Sequence, residues 1–368
     1  MRKENIMSNT YNIPAVTAGD LVNQLTELYA TAYSSGMLDM IPSVALWGPM
    51  GVGKSTAIKE LAQRLSEKLG ANVKVTDIRL LNFSPVDLRG IPAADERKEF
   101  TVWLKPKIFD LKEDAINILF LDEISAAPQS LQAAAYQIAL DKMIGEHSLP
   151  KNCIVVCAGN RTTDRSVAFR MPKALANRLM HFEVTASFES WYLWAVAHGL
   201  DERVVGYLAF DNSKLNLDAG VEELAFPTPR SWEFVSRLLK TSQRSPEQVH
   251  TLLAGCIGVS VASEFEAWCH VYDRLPKASD ILSGKNIVPA KGADVTYAII
   301  SSLLVCMNQR GERMPAGEIE NACCYAAQFP ADFAAMFFRG LLTIEGMNMK
   351  LVHSPSFGVW MRKNKHIL

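Results

Sequence analysis

The stretch Gly48-Pro49-Met50-Gly51-Val52-Gly53-Lys54-Ser55 constrains this chain more than any other. It fits the pattern G-x-x-x-x-G-K-[ST] and follows a short apolar run, Val44-Ala45-Leu46-Trp47. A helical repeat comes next, from Ser55 to Leu69, with Ile58, Leu61, Ala62, Leu65 and Leu69 on one side and Gly70 as its closing cap. Glycines in such a turn let the backbone curl until successive N–H groups point inward, and the helix N-terminus adds the positive end of its dipole. The expected product is a phosphate cradle. Lys54 is expected to reach terminal phosphate oxygens and Ser55 to ligate magnesium.

A second segment supplies carboxylates. Ile116 to Leu121 is apolar but for Asn117, as expected of a parallel strand buried on both faces, and it ends in Asp122-Glu123. In open α/β sheets ligands collect at the C-terminal ends of strands. Asp122 is therefore expected to hold hydrated magnesium and Glu123 to activate a water. Another buried run, Cys153 to Ala158, ends in Gly159-Asn160, where the Asn160 amide could orient that water.

Helices interleaved with buried runs (a helical stretch within 14–40 with Leu21, Leu25, Leu28, Tyr29 and Ala32 at near-helical spacing, a strand over Val73 to Leu81, a helix over Leu131 to Ile144 with Pro128 near its first turn) predict an α/β core with a parallel sheet. From about Ser187 the periodicities turn helical: Trp191 to Ala197, Ser231 to Leu239, Val249 to Val261. We expect an α/β nucleotide-binding core over 1–186, a helical lid over 187–276 and a mostly helical extension over 277–368. Trp191, Tyr192 and Trp194 are expected to pack the lid against the core.

The net charge of -1 argues against wholesale binding of nucleic acid, which needs a basic face, without excluding a local basic pore. Seven cysteines occur without any Cys-x-x-Cys pair, and Cys269-His270 is the sole Cys/His neighbour pair. Neither pattern has zinc spacing, and free thiols fit a reducing cytosol. Cys153 and Cys157 fall on one strand face as packing residues. His147, His181 and His270 show no convergent partners in the sequence and are read as core or surface residues. The polar segment Met1 to Tyr11 has no signal-peptide core, and the longest apolar run, near Ala298 to Met307, contains Ser301 and Ser302. A membrane-spanning helix needs about 20 apolar residues. A cytoplasmic chain without membrane insertion is expected.

Taken in order, the phosphate loop, Asp122-Glu123, Asn160, Ala174-Leu175-Ala176-Asn177-Arg178-Leu179 and Pro227-Thr228-Pro229-Arg230-Ser231 resemble an AAA+ ATPase of the MoxR type across roughly residues 15–240. The resemblance implies a P-loop AAA+ fold followed by a helical lid, ATP and Mg²⁺ as ligands, and a hexameric homo-oligomeric ring that remodels a client protein. The client it implies is a protein with a von Willebrand factor A-type domain. It implies Gly48, Pro49, Met50, Gly51, Val52, Gly53, Lys54, Ser55, Thr56 and Asp122 as the nucleotide-binding set, with Ser55 and Asp122 on the metal. Glu123 becomes the catalytic base, Asn160 sensor 1, Arg178 a finger reaching a neighbouring subunit, and Arg230 sensor 2. A permanently charged, planar guanidinium suits the charge that develops in phosphoryl transfer. Asn177-Arg178-Leu179 departs from the family's usual Asp-Arg-Phe, which leaves Arg170 and Arg165 as rivals.

Two segments are similar to that branch's insertions: Phe83 to Pro92 with Trp103-Leu104-Lys105-Pro106, and the hairpin Ile144 to Pro150. Phe83, Trp103, Lys105 and Lys107 are their candidate contacts with a client. Gly159-Asn160-Arg161-Thr162-Thr163-Asp164-Arg165-Ser166 is also similar to a segment of GTP-using, restriction-type motors. The alternative expectation is thus an NTP-driven nucleic-acid translocase, and a third is a nucleotide-gated scaffold with little turnover.

Overall fold

The structure, a computed structural model, describes residues 12–161, 171, 176–217, 223–242, 244–272, 274–285, 287–289 and 292–364. The chain divides into two compact units, Met1–Ala186 and Ser187–Leu368.

The first unit is built on six parallel strands, β1 (Ala15–Thr17), β2 (Val44–Trp47), β3 (Val73–Arg79), β6 (Ile116–Asp122), β9 (Cys153–Gly159) and β10 (Met180–Thr185), in the order β1-β10-β2-β9-β6-β3. Burial on both faces explains their composition. Alternate residues of β2, β6 and β9 feed two separate cores. Val44, Leu46, Ile118, Phe120, Ile154 and Val156 join the cluster under helices α1 (Ala18–Ser34) and α2 (Lys54–Leu69). Ala45, Trp47, Leu119, Leu121, Val155 and Cys157 join the cluster that holds α3 (Pro85–Arg89) and α4 (Gln129–Asp141). The strand β1 precedes the residues whose spacing predicted a helix and was not expected. It is three residues long, pairs with β10, and hands over to α1 at Thr17, whose hydroxyl accepts the Asp20 N–H at 3.1 Å. Helix α4 stops three residues short of the expected Ile144 because Lys142 adopts φ 50 and turns the chain into a hairpin.

That hairpin, β7 (Met143–Ile144) with β8 (His147–Ser148), meets a second one, β4 (Ile91–Ala94) with β5 (Thr101–Leu104). The Trp103 N–H donates to Glu146 Oε1 at 3.0 Å, and His147 Nε2 lies 2.6 Å from the Trp103 carbonyl. Gly90 and Gly145 permit the close approach: a Cβ on the first would overlap the Leu104 carbonyl, and one on the second would sit 2.9 Å from the Arg89 carbonyl. The two segments singled out as insertions therefore share one platform.

The second unit is helical. One continuous core runs from Trp191 to Trp360 and includes Trp232, Phe265, Leu303, Phe337 and Phe338. The boundary expected at 276 does not divide this packing, since residues from both sides of it share the same cluster. Trp191 and Tyr192 fill this unit's own core. The helix expected across Val249 to Val261 is two helices, His250–Ile257 and Val259–Tyr272, separated by Gly258 at φ 82. A Cβ at Gly258 would stand 3.0 Å from the Ala225 carbonyl, so the break is held by both conformation and space. Among the described residues no helix is long and apolar enough to cross a membrane.

Candidate nucleotide site

The loop between β2 and α2 turns on three glycines with positive φ: Gly48 (153), Gly51 (82) and Gly53 (97). Gly48 is needed for space as well, because a Cβ there would overlap the Val184 carbonyl of the neighbouring β10. No side chain caps the start of α2 at Gly53, and the first helical bond is Ala57 N–H to the Gly53 carbonyl at 2.8 Å. The amides of Lys54, Ser55 and Thr56 thus precede the helix's own ladder, as an anion-binding N-terminus requires.

Lys54 is buried, at 8% exposure, an unusual place for an ammonium. It is held by hydrogen bonds to the Gly48 carbonyl (2.6 Å), the Pro49 carbonyl (2.9 Å) and Asn160 Oδ1 (3.3 Å). Beside it, the Ser55 hydroxyl donates to Asp122 Oδ2 at 3.1 Å. The other Asp122 oxygen accepts the Glu123 N–H at 2.9 Å. Glu123 itself has φ 61, a left-handed backbone uncommon for a side-chain-bearing residue. The sheet explains the convergence: β9 lies between β2 and β6, so the ends of all three strands sit side by side. Asn160 is fixed from below by its N–H to the Ser125 hydroxyl at 2.9 Å.

Hydroxyl and carboxylate oxygens in contact form a hard donor pair that suits Mg²⁺, which is bound through oxygen and keeps several waters. Ser55 and Asp122 therefore fit the expected ion. One strand away on β3, the Asp77 carboxyl is raised above its usual range, first by burial and then by the Asp122 charge. The Cys153 and Cys157 thiols, pushed up to about 12 by burial, are inert packing groups.

Two features escaped the sequence reading. Trp47, the last residue of β2, donates its indole N–H to His181 Nδ1 at 2.9 Å and stacks on the ring. His181 Nε2 lies 2.7 Å from the Ala176 carbonyl, so a neutral His181 with its proton on Nε2 satisfies both bonds. It links the strand that launches the phosphate loop to the turn bearing Arg178. Arg161, directly after Asn160, pairs with the buried Glu183 of β10. No local sequence pattern joins either pair, so sequence spacing gave no signal; the contacts of His147 and His181 are to a backbone carbonyl and to an indole and a backbone carbonyl, in keeping with structural roles.

Arg178 is exposed in the turn before β10. Its rivals Arg165 and Arg170 lie outside the described residues, as do Ala174, Leu175 and the Thr162 to Ser166 part of the motor-like segment. In the helical unit Arg230 is exposed in the first turn of helix Pro229–Ser242, whose start is closed by reciprocal bonds between Thr228 and Ser231 (2.7 and 3.1 Å).

Residues 44–185 match the AAA family, described as the ATPase family associated with various cellular activities. Among solved structures the chain is similar to C. elegans PCH-2 (16% identity, 78% of this chain, 69% of that chain, TM-score 0.34). It is also similar to NtrX from Brucella abortus in complex with ATP (13%, 96%, 69%, 0.37) and to a mutant RuvB from Thermotoga maritima (14%, 79%, 86%, 0.33). The chain spans 47% of the length of a matched Cytophaga hutchinsonii structure. No curated protein matches the chain.

Proposed function

Because residues 44–185 match the AAA family, we propose that this chain is an ATP-hydrolysing subunit of a homo-oligomeric ring, in the simplest case a hexamer, that remodels a partner protein. One observation carries the reading: Lys54, Ser55, Asp122 and Asn160 meet at the ends of three neighbouring strands, with Glu123 beside them.

Each residue then has a task. The amides from Gly51 to Thr56 donate to phosphate oxygens, and Lys54 exchanges its loop carbonyls for the terminal phosphates. Ser55 and Asp122 hold hydrated Mg²⁺, which when bound neutralises charge on the phosphate chain. Glu123 accepts a proton from the attacking water, whose oxygen Asn160 orients. Arg178 serves as the finger presented to a neighbouring subunit, and Arg230 acts as the lid's sensor. The MoxR-type order of motifs supports a client with a von Willebrand factor A-type domain, and the joined hairpins at 91–104 and 143–148 offer the surface that meets it.

Turnover and nucleotide binding test the scheme together. Glu123→Gln should keep ATP binding while hydrolysis falls about 10²–10⁴-fold. Arg178→Ala should lower hydrolysis of the assembled protein about 10³-fold or more. Mixing the two inactive variants should restore activity, since each supplies what the other lacks. Unchanged turnover in Glu123→Gln overturns the base assignment; normal turnover in assembled Arg178→Ala moves the finger elsewhere, with Arg170 the first alternative and Arg165 the next.

A further inference from the structure

Two histidines and two glutamates converge in a stretch that holds no nucleotide motif, wholly within the helical unit. His270 Nε2 lies 2.9 Å from Glu247 Oε1, and His250 Nδ1 lies 2.7 Å from Glu266 Oε2. One donor atom from each of Glu247, Glu266 and His270 falls within 4.8 Å of the other two. The groups come from three elements: the turn Glu247–Val249, the first residue of helix His250–Ile257, and helix Val259–Tyr272, where Glu266 and His270 stand one turn apart. His250, Glu266 and His270 also line a groove of about 410 Å³ together with Ser263 and Ala267.

We propose that this cluster binds one zinc-type divalent cation, with Glu247, Glu266 and His270 as protein ligands and His250 orienting the Glu266 carboxylate. The chemistry selects the ion. Imidazole with carboxylate suits zinc and its first-row neighbours, whereas Mg²⁺ and Ca²⁺ prefer oxygen alone. Zinc bonds of about 2.0–2.2 Å place tetrahedral ligand atoms about 3.3 Å apart, so the three donors reach that geometry through small side-chain rotations. With neutral imidazoles the cluster carries two negative charges, which a divalent cation cancels. The half-exposed His270–Glu247 pair contributes little to stability in the absence of metal. A hydrogen bond holding a ligating side chain is the usual second layer of such a site, and His250 supplies it. Three protein ligands leave a fourth position open toward the groove, for water or an anionic side chain.

The site is independent of the nucleotide reading, so its failure and that of the ATPase scheme are distinguishable. Full-length protein in excess Mg²⁺ should bind one Zn²⁺ by titration calorimetry, and Zn²⁺ should raise the melting temperature where added Mg²⁺ does not. His270→Ala and Glu266→Gln should each weaken that binding more than tenfold, and His250→Phe about tenfold. Their melting temperatures in chelator should match the parent, which separates ligand loss from misfolding. Cobalt in place of zinc should give visible d–d bands without a sulfur charge-transfer band. Binding that persists in the His270→Ala/Glu266→Gln double variant, a thiolate band, or no Zn²⁺ bound at micromolar concentration overturns the proposal.

Discussion

The two units differ in where they bury charged side chains. In the first, Lys54 and Glu183 are buried and Asp122, Asn160 and Arg161 partly so, near the C-terminal ends of β2, β6 and β9, alongside buried hydroxyls and amides such as Thr26, Ser43, Asn117 and Gln132 elsewhere in the unit. In the second, buried polar residues are mainly hydroxyls such as Ser231, Ser236, Thr296 and Ser301, and the one buried acid among the described residues, Asp201, is paired with Arg203. A parallel sheet aligns strand ends and gathers loops from distant parts of the chain at one edge. A helical unit has no such edge, and its charged groups meet where helices happen to cross. Chemistry is therefore concentrated by architecture in one unit and dispersed in the other.

Substitutions can break or sharpen that contrast. The largest effect is expected from Trp232→Ala, which empties a fully buried indole from the helical core and removes its bond to the Lys214 carbonyl at 2.8 Å. It should cost about 3–5 kcal/mol by denaturant unfolding. If nucleotide binding is lost with it at temperatures where the first unit stays folded, the units are not separable in function. Gly48→Ala comes next, at about 2–3 kcal/mol, because its Cβ must displace the Val184 backbone. Nucleotide binding, read by fluorescence titration, should fall with stability here, whereas Trp232→Ala should affect stability alone. The smallest is His181→Phe, which keeps the stacking on Trp47 but leaves the indole N–H without its acceptor, at about 1–3 kcal/mol. A larger loss of turnover than of stability would show that the link from β2 to the Arg178 turn matters to the reaction.

Legibility followed the same division. Gly48 to Ser55 and Asp122-Glu123 were readable because their work is done by neighbours in sequence: a loop curls through adjacent glycines, and a strand ends in adjacent carboxylates. The parallel sheet was readable because burial on both faces leaves apolar runs such as Ile118 to Leu121 and Cys153 to Ala158. Strand β1 was not, since three residues give no periodicity and its pairing with β10 is a tertiary fact. The break at Gly258 was hidden because one glycine in a helical pattern is tolerated often enough to pass unnoticed. His270 was read as partnerless and in fact faces Glu247 and Glu266.

What the sequence determined by itself was the kind of ligand-binding loop, the carboxylates that follow it and the class of sheet beneath them, since each depends on contiguous residues and on the period of burial. Only the tertiary structure decided that Lys54 touches Asn160, that His181 joins Trp47 to Ala176, and that two hairpins share one platform. Those contacts join segments far apart in the chain, where hydrogen-bond geometry acts through space and sequence spacing carries no information about it.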